Sequence, residues 1–95
     1  MKLRYTRRAA TELDEVLSYI EAHSPQGARN VKARIQAVID LLLQHPHAGQ
    51  RTSKGRLRRV VAYPYPYLIF YNAREDEVVI HGVRHAARSP SSMPE

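Results

Sequence analysis

The sequence predicts an α+β domain in which a helical hairpin covers one face of an antiparallel sheet of about four strands. The expected order is β-α-α-β-β-β. Three observations predict it. Two apolar stripes with helical spacing lie between Arg7 and Gln44. A segment rich in tyrosine and β-branched residues, with strand-like runs, extends from Arg58 to Arg88. A polar stretch carrying two glycines, His47 to Gly55, separates them. Each helix has one apolar face and must bury it, and the sheet is the partner the chain offers. A length of 95 residues suits one domain, expected over residues 1–88, with Ser89 to Glu95 as a frayed tail.

The elements follow in order. In Lys2-Leu3-Arg4-Tyr5 polar and apolar residues alternate, so Leu3 and Tyr5 share one face of a short strand. Thr6 is a helix N-cap, able to accept from free amides of the first turn. Leu13, Val16, Leu17 and Ile20 then recur at i, i+3, i+4 and i+7, one stripe of an amphipathic helix. Glu12, Asp14, Glu15 and Glu21 lie mostly off that stripe. Arg7 and Arg8 sit at the positive end of the helix dipole, an unfavourable place for two exposed cations.

His23-Ser24-Pro25 breaks the first helix and starts a second, with Ser24 as cap and Pro25 at its first position. Val31, Ile35, Val38, Ile39 and Leu42 form the second stripe, and His45-Pro46 ends it. The loop from His47 to Gly55 is rich in donors. Leu57 to Tyr63 alternates as a strand, and Pro64 and Pro66 force a turn or strand edge around Tyr65. Tyr67 to Tyr71 is a second strand, with Leu68 and Phe70 on one face and Tyr67, Ile69 and Tyr71 on the other. Asn72 to Asp76 is a hairpin loop, and Glu77 to His85, apolar on both faces, is a central strand. Arginines and tyrosines are expected to line the face away from the helices.

Charge is concentrated. Leu41 to Arg74 contains no Asp or Glu but carries Arg51, Lys54, Arg56, Arg58, Arg59 and Arg74, while the rest of the chain balances, so this window holds the whole net charge of +6. Such a field favours a polyanion or an acidic protein. It serves equally as a solvated surface.

Several function classes are disfavoured. The chain has no cysteine, which excludes disulfides and thiolate chemistry and suits the cytoplasm. Neither a signal peptide nor a membrane span is legible. No P-loop, GxGxxG or GxSxG motif is present, so no cofactor is expected. His81 and His85 lie about 13 Å apart along a strand, too far to share a metal ion. RNA cleavage through the RNA's own 2′-OH stays open. His85 would move a proton, and Arg59, Arg84 and Arg88 would hold the phosphate. Tyr63 and Tyr71 are candidates for the second proton-transfer group, but they suit plain sheet packing as well.

The element order, the basic strand Leu57-Arg58-Arg59-Val60-Val61, the segment Tyr67-Leu68-Ile69-Phe70-Tyr71 and the closing Val83-Arg84-His85-Ala86-Ala87-Arg88 together resemble the RelE/ParE superfamily of type II toxin–antitoxin toxins. RelE-like members are ribosome-dependent mRNA endonucleases, whereas ParE-like members share the fold and poison DNA gyrase. The acid-free basic region and the tail without a terminal aromatic make the chain look ParE-like. The resemblance then implies a toxin that grips gyrase by protein–protein contact, without catalytic residues or direct DNA binding. Arg58, Arg59, Arg84, His85 and Arg88 would make the contact. It also implies a ParD-like antitoxin, docked near Leu13, Leu17, Tyr67 and Ile69 in a hetero-oligomer. The alternative is a RelE-like nuclease using His85, Arg59 and Arg84.

Overall fold

The computed structural model describes residues 1–87. Its elements are β1 (Lys2–Tyr5), α1 (Arg7–His23), α2 (Pro25–Gln44), β2 (Gln50–Arg51), β3 (Arg58–Val61), β4 (Tyr67–Ala73) and β5 (Glu77–His85). The α+β architecture is the expected one, with two refinements. The sheet has five strands in the order β1-β5-β4-β3-β2, and β1 runs parallel to β5. The extra strand, β2, is a two-residue edge inside the polar loop, paired antiparallel with β3.

Local chemistry sets the helix limits. The Thr6 hydroxyl accepts from the Ala9 amide, 3.0 Å. Ser24 serves both helices, since its backbone N–H closes α1 on the Ile20 carbonyl while its hydroxyl accepts from Gly27 N at the start of α2. One residue thus makes the whole joint, and the helices fold back as a hairpin against one side of the sheet. Arg34 of α2 ties the β3–β4 turn in place, its Nε donating to the Tyr63 carbonyl at 2.6 Å.

The main core lies between helices and sheet. Val31, Ile35, Val38, Ile39 and Leu42 of α2 meet Ile69, Tyr71, Val78, Ile80 and Val83, and Leu13, Val16, Leu17 and Ile20 of α1 pack against them, half-buried. A smaller cluster on the opposite side joins Leu57, Leu68 and Phe70, with Ala86 against it. The assignment of Leu68 and Phe70 to one face and Tyr67, Ile69 and Tyr71 to the other matches this division. The far face, however, is not lined by those tyrosines. Tyr67 and Tyr71 alternate with Leu68 and Phe70 along β4 and so point under the helices, into the main core. No helix among the described residues is long and apolar enough to cross a membrane.

Candidate functional site

Alternation along β3 separates the two neighbouring arginines. Arg59 pairs with Phe70 and Val61 with Leu68, so both face away from the helices, whereas Arg58 pairs with Tyr71 and faces the helix side. Arg58 is held there, its Nη1 donating to the Gly49 carbonyl at 2.9 Å and to the His47 carbonyl at 3.3 Å. Arg59 is exposed, and its one described side-chain contact is a long 3.5 Å approach to Gln50 Oε1.

Arg84 pairs with Leu68 across β4 and so starts on the same face as Arg59. Its side chain is only 10% exposed, and its Nε meets Glu12 Oε2 at 3.2 Å. The other oxygen of Glu12 accepts from Val83 N, 3.1 Å. The reason is topological. Pairing of β1 with β5 ends at Tyr5 and Ile80, with Thr6 N reaching the Ile80 carbonyl, so β5 continues past its neighbour. Glu12 of α1 takes over the edge that β1 leaves, and Arg84 neutralises it. Arg8 also approaches the same carboxylate, at 3.7 Å.

His85 lies on the helix side, opposite Tyr67, with the rings edge-on at 5.3 Å. Its Nδ1 accepts from Ala87 N, 3.1 Å. Arg88 lies outside the described residues. Of the five residues expected at one basic surface, the structure therefore puts Arg59 and Arg84 on the open face and Arg58 and His85 on the other. Of the residues expected to meet an antitoxin, Leu13 and Leu17 are half-buried on α1, with Leu17 lining a groove of about 270 Å³ between the helices. Ile69 is fully buried and Tyr67 8% exposed, and β4 is paired on both sides, so neither offers side-chain surface on the folded chain.

The open face carries a shallow groove of about 470 Å³ lined by Gln50, Arg59, Val61, Leu68, Ala86 and the Ala48-Gly49 backbone among others. Val61 is 46% exposed, and Tyr63, just beyond β3, is 73% exposed. Further along the sheet, His81 sits at a bulge in β5, and its Nε2 and the Oδ1 of Asn72 are buried with no hydrogen-bond partner among the described residues. Burial pushes the His81 imidazole pKa down, and the nearby Arg4 and Arg74 charges push it further. Among the described residues no three acidic or histidine side chains converge on a metal-sized site.

Glu12 is not legible from sequence as the partner of the basic rim, because its place off the helix stripe marks it only as a surface residue and Arg84 lies 72 residues away. Gln50 and the exposed Val61 are not legible as lining either. The alternation of Arg58 and Arg59 in a strand was the available signal that only one of them belongs with Arg84.

The comparisons with known proteins agree on one group. The sequence matches the family described as "ParE toxin of type II toxin-antitoxin system, parDE" over residues 3–90. It is 38% identical to "Putative toxin Y4kP" of Sinorhizobium fredii over 90% of this chain and 88% of that protein. It is 36% identical to "Toxin RelE2" of Caulobacter vibrioides over 88% of this chain and 93% of that one. The fold superposes on a chain of a solved structure described as the chromosomal ParDE TA system from P. aeruginosa. The TM-score is 0.76 at 20% identity, covering 90% of this chain and 95% of that one. With most of its length matched, the chain belongs to the ParE family of toxins of type II toxin–antitoxin systems.

Proposed function

We propose that the chain inhibits DNA gyrase by protein–protein contact through the open face of its sheet, and that a ParD-like antitoxin neutralises it. The observation that carries this reading is the composition of the open-face groove. Among the described residues its lining holds one cation, Arg59, among apolar groups and the amide of Gln50, with no carboxylate, imidazole or phenol. A cation beside exposed Val61 and apolar Leu68 suits a protein interface, where arginine side chains anchor a patch with an apolar centre. Proton transfer at a phosphodiester needs an acid and a base within reach, and the described residues of this groove supply neither.

The antitoxin is proposed to lay an amphipathic segment along the helical hairpin, into the groove between α1 and α2 beside Leu17. Asp14, Glu21, Arg29 and Lys32 around that groove offer both signs of charge for setting its register.

The nuclease reading draws on the relative named Toxin RelE2 and on His85. It is the weaker one, because His85 lies across the sheet from Arg59. Expression from a tight promoter separates the two. Growth arrest with relaxed plasmid DNA and intact transcripts supports gyrase as the target. Codon-phased mRNA cuts that vanish in His85→Ala would replace this reading with the nuclease.

A further inference from the structure

The β2–β3 hairpin carries a second basic site, distinct from the open-face groove. Arg51, Lys54, Arg56 and Arg58 fall within eight residues, and none of the intervening positions is acidic. The hairpin is well built. Thr52 N and Oγ1 both donate to the Leu57 carbonyl, Leu57 N donates to the Lys54 carbonyl, and Lys54 N donates to Thr52 Oγ1. Gly55 turns the tip at a φ of 57°.

A notch of about 290 Å³ opens beside it, lined among the described residues by His47, Arg51, Arg56 and Arg58, with Ala73 as the one apolar residue. Arg51 and Arg58 are directly opposed in the β2–β3 register. Like charges in that relation repel and destabilise a strand pair. The Arg51 and Arg56 guanidinium groups have no acidic partner among the described residues. Arg58, by contrast, is pinned by two backbone carbonyls, so its position in the notch is fixed before any ligand arrives.

We propose that this notch binds the phosphodiester backbone of a nucleic acid. Three guanidinium forks around one opening match phosphate oxygens in bidentate geometry. The repulsion between Arg51 and Arg58 is relieved when an anion enters. An acidic protein is the other polyanion to consider, but the buried core of a protein interface is depleted in charge, whereas three of the five described lining residues of the notch are arginines. Such a contact adds a nucleic-acid footprint to a toxin whose proposed target contact is protein. It stands whether or not gyrase is that target.

The test is fluorescence anisotropy of the purified chain with a labelled DNA duplex and, separately, a labelled single-stranded RNA, across a salt series. Arg51→Gln/Arg56→Gln is compared with Lys2→Gln/Arg7→Gln, which removes the same charge from exposed positions in β1 and at the start of α1, β1 being the sheet edge opposite β2. The notch variant should lose at least about tenfold in affinity and flatten the salt slope by about 1.8 for duplex or about 1.4 for single strands, two phosphate contacts' worth. The Lys2/Arg7 variant should stay near wild type. Whichever nucleic acid shows this pattern is the source of the phosphate. Equal losses in both variants, or no binding by either nucleic acid, would overturn the proposal. So would a polyglutamate peptide that binds more tightly than nucleic acid and is lost in the notch variant, which would assign the site to an acidic protein. Circular dichroism of both variants checks that they are folded.

Discussion

Glu12 of α1 holds Arg84 of β5 at 3.2 Å across more than seventy residues of sequence, and with its other oxygen receives the Val83 amide. One carboxylate therefore completes a sheet edge and fixes the cation beside it. The pairing also divides the arginines by role. Arg84 is a structural cation at the junction of α1 and β5, while Arg59 on the same face keeps an exposed head.

That division predicts unequal effects. Glu12→Gln should destabilise the fold by about 1–2 kcal/mol, since it weakens a charge-assisted bond and leaves a partly buried guanidinium less well matched. Arg59→Ala should leave stability within about 0.5 kcal/mol. Urea denaturation measures both. Equal midpoints for Glu12→Gln and wild type would contradict the role given to Glu12.

A second prediction concerns the strap from α2 to β2. The Tyr71 hydroxyl donates to the Pro46 carbonyl at 2.9 Å and accepts from Gly49 N at 2.8 Å. A Cβ on Gly49 would lie 2.5 Å from that hydroxyl and 2.9 Å from the Arg59 carbonyl. Gly49→Ala should therefore cost about 1–3 kcal/mol through overpacking. Tyr71→Phe should cost a similar amount, about 1–3 kcal/mol, by leaving a buried amide without its acceptor. Thermal unfolding of each variant reads the loss.

Ser24 is the third test. Because its hydroxyl caps α2 within the one-residue joint, Ser24→Ala should destabilise by about 1 kcal/mol, whereas Ser24→Gly should lose only a few tenths. A Ser24→Ala variant as stable as wild type would mean that Pro25 alone sets the helix start.

His81 predicts an acid limb. Its pKa is lowered in the folded chain, first by burial and then by Arg4 and Arg74, from an ordinary value of 6.5. Well above 6.5 the imidazole is neutral in both states and contributes no pH dependence. As pH falls below 6.5, the unfolded chain takes up the proton first, so stability drops progressively down to the folded pKa. The urea midpoint should fall between about pH 7 and about pH 5 by more in wild type than in His81→Gln. Parallel curves would contradict the assignment.

The helical half of the fold was legible because its signals are local. Thr6, Ser24-Pro25 and His45-Pro46 mark the helix ends within the chain itself, and the apolar stripes mark the buried faces. What was not legible depends on contacts far apart in sequence. Nothing in Gln50-Arg51 marks a strand until β3 lies beside it, and the parallel pairing of β1 with β5 has no local signature. The site suffered in the same way. Arg58, Arg59, Arg84 and His85 form two neighbouring pairs in sequence, yet strand alternation sends the members of each pair to opposite faces. Leu41 to Arg74 contains no acid, but folding brings Glu12 to Arg84 from outside that window.

The central claim is that a folded Arg59-bearing face inhibits gyrase by contact. Its most direct test is an in vitro supercoiling assay with purified gyrase and the purified chain, run beside the Arg59→Glu and Val61→Asp variants. Inhibition by wild type, lost in both variants while each keeps its fold, is the predicted result. Undiminished supercoiling at saturating wild-type chain, or equal inhibition by all three proteins, would contradict it.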